Sequence, residues 1–505
     1  MLGAIIRKFA VGLMLAGLTA AGAHADSVIR IGLQEDPDSF DPARAYSFVG
    51  RIVLTSLCNK LIDAAPDLHF VPQLALSWDT SADGKTVTFH LRPGVKFSDG
   101  TDLDAAAVAL NLDRAMHLPE SRRKSEVAAL DTVDVVDPLT VRLNLKNPFA
   151  PLIAQLSDRA GLVASPKALQ NPAGFDQAPA CSGPFKMAER VIQDHITLVR
   201  DPTYWDAGRI HIDRVEFRII PDPAVRLANL RAGDLDFAER ILASDVAGLK
   251  ADPRFKVLVG PSLQYNGTTI NLANGTGGNP DFQKSAQLRE ALDLSIDREA
   301  INQVLFAGNA VPDNQPQPVS SPFHSPDRPV KPRDIARATE LVKASGVVHP
   351  MLELMVINSS DQAQLAQMLQ SMAAEAGIEI KIRTLEFQTL LSQEAKGDYQ
   401  ASLIGWSGRV DPDGNIYTLL GCKSPTNDAR YCSEATESLL LRGQAETNIE
   451  ERQKLYHQAI DKIVDDRPII YLYHPPLIQA MTAKLNGYGF HTDGLIRLQD
   501  VSYSQ

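Results

Sequence analysis

Apolar and polar residues alternate with period two over Val28-Ile29-Arg30-Ile31-Gly32-Leu33, which predicts a strand running into the turn-rich segment Asp36-Pro37-Asp38-Ser39-Phe40-Asp41-Pro42. Residues 46–62 carry helical spacing, and a second strand pattern, 86–91, is bounded by Asp83-Gly84 and Arg92-Pro93-Gly94. An alanine-rich helix is predicted over 104–116, with acids near its positive N-terminal end, and 134–145 alternates again as strand. The second half reads as a separate lobe. Residues 288–306 predict one amphipathic helix, and 311–332 carry seven prolines and predict a long loop. Then come helix 334–345, strand 351–358, helix 361–376, strand 378–384, helix 386–395 and strand 399–405. Such alternation implies right-handed βαβ units around a mixed sheet. A helix over 449–465 precedes the apolar strand 468–473, and no internal repeat is visible.

The first residues change the setting of this pattern. Arg7 and Lys8 are followed by an apolar run over 9–20 and by Ala23-His24-Ala25, the small-x-small rule of a cleaved secretory signal. The run is about a dozen residues, short of the ~20 that span a bilayer. The expectation is cleavage near Ala25, a soluble exported chain from Asp26, and no lipid anchor, since no Cys stands at the cleavage point. Losing Arg7 and Lys8 moves the formal net charge from −11 to −13, which argues against nucleic acid or an anionic membrane as partner. A mature chain of this length exceeds one typical domain of ~100–200 residues, so two or more lobes are expected.

Export also governs the four cysteines. Cys422 and Cys432 flank a short polar segment and are expected to close it as a disulfide; Cys58 and Cys181 would then pair with each other. Metal binding is the competing reading, weakened because Cys-x-x-Cys and His-x-x-x-His spacings are absent and the eleven histidines are scattered. No metal and no cofactor are expected.

The densest chemistry lies in Gly405-Trp406-Ser407-Gly408-Arg409-Val410-Asp411-Pro412-Asp413-Gly414-Asn415. An apolar run ends there in a glycine-broken loop carrying an indole, a guanidinium and carboxylates. Strand ends of this kind hold small polar ligands in α/β proteins. Gly408 lets the backbone approach a ligand, Trp406 offers a flat apolar face, and Arg409 can fork two hydrogen bonds onto a carboxylate or phosphate. The same residues also make an ordinary Asp-Pro-Asp-Gly turn, with Trp406 in the core and Arg409 paired to Asp411 or Asp413.

Several stretches together resemble the family 5 extracellular solute-binding proteins, the peptide/opine/nickel-type receptors of bacterial ABC importers. They are Pro72-Gln73-Leu74-Ala75 with Trp78, the run from Thr88 to Gly100, Ser182-Gly183-Pro184-Phe185, Tyr204-Trp205, Leu288-Arg289-Glu290-Ala291-Leu292 with Ile296-Asp297-Arg298, and Gly405-Trp406 with Asp411-Pro412-Asp413. The resemblance implies an α/β, two-lobed periplasmic-binding-protein-like fold (type II, cluster C-like) with an extra subdomain inserted in the first lobe. Lobe I would be 26–270 plus 478–505, with 67–177 inserted, and lobe II 271–477. It also supports the Cys422–Cys432 disulfide. The implied protein is a monomeric periplasmic receptor that closes on a solute and hands it to a permease in the inner membrane.

In the dipeptide receptors of this family an Asp shortly after the Gly-Trp pair holds the peptide's ammonium, and an Arg after an earlier strand holds its carboxylate. Here Arg409 stands at the first place and Asn358 at the second. A guanidinium repels an ammonium, so the expected solute carries an anionic group: a carboxylate of an opine-like or acidic peptide-like (oligopeptide-like) molecule, or a phosphate of another acidic solute. Asp411 completes the loop. Tyr46 and Ser47 are expected to face the cleft, Tyr265 and Asn266 to meet ligand from the hinge, and Arg159 to supply a second cation. For Tyr46, Tyr265 and Arg159 the structural alternative is a core position or a pairing with Asp158. The rival class, a secreted hydrolase acting on a small peptide or glycoside-like substrate, would need a Gly-x-Ser-x-Gly elbow, a His-Glu-x-x-His helix or paired carboxylates. The first two are missing from the sequence, and only Asp411 with Asp413 approaches the third.

Overall fold

The computed structural model describes residues 27–504; the expected signal segment lies outside the described residues. Ile29, Ile31 and Leu33 are wholly buried on one side of the strand Val28–Leu33, which sits at the centre of a seven-stranded sheet. It runs parallel to Arg214–Ile219 and Phe237–Ala238, and the sheet continues antiparallel to His195–Arg200 and Phe185–Val191 on one side and Leu477–Thr482 and Phe255–Gly260 on the other.

The second lobe is a mixed six-stranded sheet in the order Val311–Pro312, Ile469–His474, Tyr265–Ile270, Ala401–Trp406, Met351–Ile357, Glu379–Leu385. The last three strands are parallel, as the alternating helices of this region imply, while Tyr265–Ile270 pairs antiparallel with both of its neighbours. A third, antiparallel sheet joins Ala75–Thr80, Thr86–Leu91, Thr140–Leu145 and Leu130–Asp137, with the helix Ala105–His117 packed on it and its own apolar core around Phe89, Phe97 and Leu112. It forms the extra subdomain.

The chain passes between the two large sheets twice. Residues 261–264 link Phe255–Gly260 to Tyr265–Ile270, and Pro475-Pro476 link Ile469–His474 to Leu477–Thr482. Proline lacks the N–H that would carry a ladder onward, so both strands break here. The two links are tied together: Ser262 Oγ donates to the Pro475 carbonyl at 2.5 Å, and the His474 ring Nδ1 lies 2.8 Å from the Gln264 carbonyl.

Three sequence expectations change. The helix expected over 46–62 is Phe48–Leu57, capped by Ser47, because Cys58 turns extended where it joins Cys181 and the chain then enters the short strand Ile62–Ala64. The single helix of 288–306 is two, Ala286–Ser295 and Arg298–Phe306. Asp297 intervenes by accepting the Ala300 N–H at 2.9 Å, a cap that competes with helix continuation. The strand of 134–145 is a hairpin, Leu130–Asp137 and Thr140–Leu145. Both expected disulfides are present, Cys58–Cys181 and Cys422–Cys432. Among the described residues no helix is long and apolar enough to cross a membrane.

Cys58–Cys181 joins positions 123 apart in sequence and is buried in the first core. The double variant Cys58→Ser/Cys181→Ser is expected to lose about 2–5 kcal/mol of unfolding free energy, as removal of a native bridge usually does. Urea denaturation measures this, and an unchanged midpoint would refute a stabilising role.

Candidate ligand-binding cleft

A cavity of about 180 Å³ lies between the lobes beside the two crossings. Its first-lobe wall comes from the loop after the first strand (Gln34, Glu35), from Tyr46, Ser47 and Phe48 at the start of a helix, and from Arg226 and Arg240. Its second-lobe wall comes from Tyr265 and Asn266, from Gly405, Trp406 and Ser407, and from the acids Asp361, Glu394 and Asp428. The lobes touch around it. Gln388 Nε2 donates to the Asp36 carbonyl at 3.0 Å, and the Ala150 N–H donates to the Gln444 carbonyl at 2.8 Å.

The loop after strand Ala401–Trp406 is rigid for reasons its sequence contains. Tyr265 pairs with Trp406 and Asn266 with Gly405 across the ladder, bringing the hinge strand and the loop together. Gly408 has φ 74°, and a Cβ there would clash with the Leu263 carbonyl, so glycine is required. Asn415 closes the loop: its Oδ1 accepts from the Trp406 indole at 3.1 Å and from the Arg409 N–H at 2.6 Å, and its Nδ2 donates to the Arg409 carbonyl at 3.0 Å.

Trp406, only 8% exposed, nevertheless lines the cavity, as do Tyr265, Asn266, Tyr46 and Ser47. Tyr46 stands 6.1 Å from Trp406, ring to ring, and Tyr265 packs edge-on against Tyr471 at 4.8 Å. Asp38 holds the Tyr46–Ser47 corner, accepting from both N–H groups and from the Ser47 hydroxyl at 2.6–3.0 Å. The Asn266 side-chain carbonyl is buried without a hydrogen-bond partner among the described residues.

Five expected site residues lie outside the cavity wall; the first, Gly408, brings the backbone against Leu263 and not against a ligand. Asp411 faces away from the cavity because Arg452 grips it with two bonds of 2.7 Å. Asn358 is exposed beyond the strand end; Ile357 and Ser359 on either side line the cavity, and strand alternation turns the residue between them outward. Arg409 pairs with neither Asp411 nor Asp413. It crosses to the other lobe, its Nε 2.7 Å from Asp158, while its guanidinium lies 4.4 Å over the Trp406 ring. Arg159 lies behind Ser47, donating from Nη1 to the Ser47 carbonyl at 3.3 Å, with its Nε 3.9 Å from Asp158. Arg409 and Arg159 are thus brought to one place, at the cleft edge.

The sequence reading missed the charged cavity residues. Burial and then neighbouring Asp428 push the Glu394 carboxyl up to about 8; its bond from Ser402 Oγ only partly offsets this. Asp428 is pushed up to about 6 by burial, against the pull of Arg122 and Arg430. Burial likewise raises Glu35 to about 8, though Arg240 opposes it. Arg240 itself donates to Gln264 at 3.1 Å and lies 5.5 Å over the Phe48 ring. Arg226 donates all its bonds to backbone carbonyls, of Ile220, Pro221, Glu239 and Arg240, and is structural. Only the turn-rich setting of Glu35 after the first strand offered a sequence signal. Glu394 and Asp428 lie on a helix and in the disulfide loop, where nothing local marks them.

Two α/β lobes joined by paired crossings, with a cavity lined from both sides, define a two-lobed binding protein of the periplasmic type. The chain belongs to the bacterial extracellular solute-binding proteins, family 5, whose middle-region model matches residues 69–427. It is 30% identical to the glutathione-binding protein GsiB of Pectobacterium atrosepticum, over 98% of each chain. Among solved structures it resembles the dipeptide-binding protein of Pseudoalteromonas sp. SM9913 in complex with Met-Leu (TM-score 0.88, 22% identity, covering 94% of this chain and 100% of that one). It also resembles AgaA of Agrobacterium in complex with agropinic acid (TM-score 0.85, 24% identity, 95% and 99%).

Glu394 and Glu35 titrate in the folded protein far above the ~4.3 of an unfolded glutamate. Their protonated forms therefore stabilise the fold at low pH, and that contribution disappears as pH rises through about 8. The thermal midpoint of the ligand-free protein is expected to fall between pH 6.5 and 9, and less steeply in Glu394→Gln. A variant profile parallel to the wild type would show that Glu394 does not titrate there.

Proposed function

We propose that this protein is the periplasmic receptor of an ABC importer for a peptide-like solute carrying an anionic group. The reading includes export with cleavage near Ala25 and two lobes with 67–177 inserted in the first; the lobe boundaries expected at 270 and 478 move to the links at 261–264 and 475–476, because Tyr265–Ile270 pairs within the six-stranded sheet and Leu477–Thr482 within the seven-stranded one. The observation that carries it is the cavity at the paired crossings, walled by aromatic and charged side chains from both lobes. A solute touching both walls binds the closed arrangement better than the open one and shifts the population toward closure, which a membrane permease then recognises. No bond is made or broken.

The cavity chemistry favours a dipolar solute. Glu35, Asp361, Glu394 and Asp428 can receive an ammonium, Arg240 and Arg409 a carboxylate, and Trp406, Tyr46 and Tyr265 an apolar body between them. The name of the GsiB relatives makes glutathione, a small peptide with two carboxylates and one ammonium, the first probe to use. A hydrolase reading loses its candidate pair here. Asp411 is spent on Arg452, and Asp413 is buried among Gln444, Tyr456 and Gln155, outside the cavity wall.

Calorimetric titration of the refolded, ligand-stripped protein tests this. Reduced glutathione is expected to bind with Kd on the order of micromolar, with contraction in small-angle scattering, and Ala-Ala more weakly than millimolar. Equal binding of both, or hydrolysis of the probe, would overturn the proposal.

A further inference from the structure

Four guanidinium groups meet at the edge of the cleft. Arg51, Arg123, Arg159 and Arg409 are 5, 1, 2 and 7% exposed. Two carboxylates lie among them. Asp158 takes Arg51 at 2.9 Å, Arg409 at 2.7 Å and Arg159 at 3.9 Å, and Glu126 is paired with Arg123. The group therefore carries a surplus of two positive charges away from water. Removing charge from water is costly unless it is paired and its donors are used. Here several are not. Arg159 Nε and Nη2, Arg409 Nη2 and Arg123 Nε are buried without a hydrogen-bond partner among the described residues, as are one oxygen of Glu126 and one of Asp158. Burial first, then Arg123 and Arg409, hold the Arg159 guanidinium well below its ordinary value.

The cluster is connected to the cavity. Ser407 Oγ accepts from Arg51 at 3.2 Å and from Arg409 at 3.1 Å, and the Ser47 carbonyl accepts from Arg159 at 3.3 Å. Ser47 and Ser407 both line the cavity, as does the Trp406 ring beneath Arg409. Arg51, Arg123, Arg159 and Asp158 belong to the seven-stranded lobe and its extra subdomain, whereas Arg409 comes from the other lobe. Closure therefore completes the cluster.

We propose that this arginine cluster is an anion-binding subsite of the cleft, taking a carboxylate between Arg159 and Arg409, and that the anion is what makes closure favourable. The inference rests on the receptor reading above and specifies it. In the open state Asp158 is shared by Arg51 and Arg159. Closing without an anion adds a third guanidinium to one carboxylate, whereas closing with one neutralises part of the surplus and fills the idle donors. A solute without a carboxylate at that end leaves the closed state charged and is rejected.

The carboxylate has two possible sources, a free anion or the solute, and the test separates them. Acetate is titrated into the full-length mature protein with ionic strength held by HEPES sodium salt, and the thermal midpoint is followed. Wild type is expected to rise saturably by several degrees. Arg159→Gln and, in case that variant folds poorly, Arg409→Gln are expected to lose the rise. Arg92→Gln, an arginine stacked on Trp205 and outside both the cluster and the cavity wall, should keep it. Glutathione titration is the second arm, with affinity expected to fall at least tenfold in Arg159→Gln. An acetate response equal in wild type and both cluster variants, or absent from wild type, overturns the subsite. Unchanged glutathione affinity in Arg159→Gln overturns the assignment to the solute's carboxylate. If glutathione fails to bind wild type while acetate still acts through Arg159, the subsite stands and the peptide-like reading falls.

Discussion

The whole arrangement depends on the chain crossing twice, side by side, between two sheets that are otherwise closed units. Strands Tyr265–Ile270 and Ile469–His474 are paired within the six-stranded sheet, and their continuations, Phe255–Gly260 and Leu477–Thr482, are paired within the seven-stranded one. Between them the ladder must break, and Pro261, Pro475 and Pro476 supply the break. Two short adjacent links restrict relative motion of the lobes mainly to bending about the line through both. The Ser262–Pro475 bond keeps them in step. Everything else of functional interest follows from position relative to that line: the cavity lies beside it, and the loop after Ala401–Trp406 is hydrogen-bonded to the strand that emerges from it.

On the receptor reading proposed above, charge decides which state is occupied. The lobes meet through a few polar contacts, such as Gln388 to Asp36 and Ala150 to Gln444, each worth only about 1 kcal/mol net. Against these stand the buried acids on the cavity wall and the buried arginines at its edge. Both raise the free energy of an empty closed form, the acids by taking up protons or repelling one another, the arginines by leaving donors idle. A solute offering an ammonium to one and a carboxylate to the other removes both penalties together. Selectivity then comes from matching two charge deficits and not from contact area.

Periodicity exposed most of the fold. Long alternating or helical runs such as Val28–Leu33, Ile335–Ala344 and Ile449–Asp466 were readable within a residue or two. What it missed were places where one side chain outweighs the pattern: Asp297 capping a new helix inside an apolar run, and Cys58 ending a helix through a partner 123 residues away. The site divides in the same way. Trp406, Tyr265 and Tyr46 were legible because aromatic residues at strand ends and turns carry a local signal. Glu394 and Asp428 were not, because their importance arises from burial beside residues distant in sequence, and Asp158 was legible only as the neighbour of Arg159. Arg409 was noticed for its charge, but its neighbour across the cleft is invisible to any local reading.

The loop 405–415 shows why one scaffold can serve different solutes. Its shape is fixed by groups that never touch the cavity: Asn415 bonding Trp406 and Arg409 through indole and backbone, Arg452 holding Asp411, and Gly408 in a conformation side chains avoid. None of these bonds uses the Arg409 side chain. The Arg409 guanidinium adds bonds of its own to the Gly408 carbonyl at 2.7 Å and to Ser407 Oγ at 3.1 Å, so a change of charge at that position gives up two loop bonds and needs something opposite to answer it, as Asp158 with Arg51 and Arg159 does here. A carboxylate at position 409 would face Asp158 and need a cation from the solute, whereas the guanidinium found there gathers positive charge and needs an anion. On the proposed reading, ligand choice in this chain is thus a property of the charge balance across the closing cleft, set by residues from both lobes.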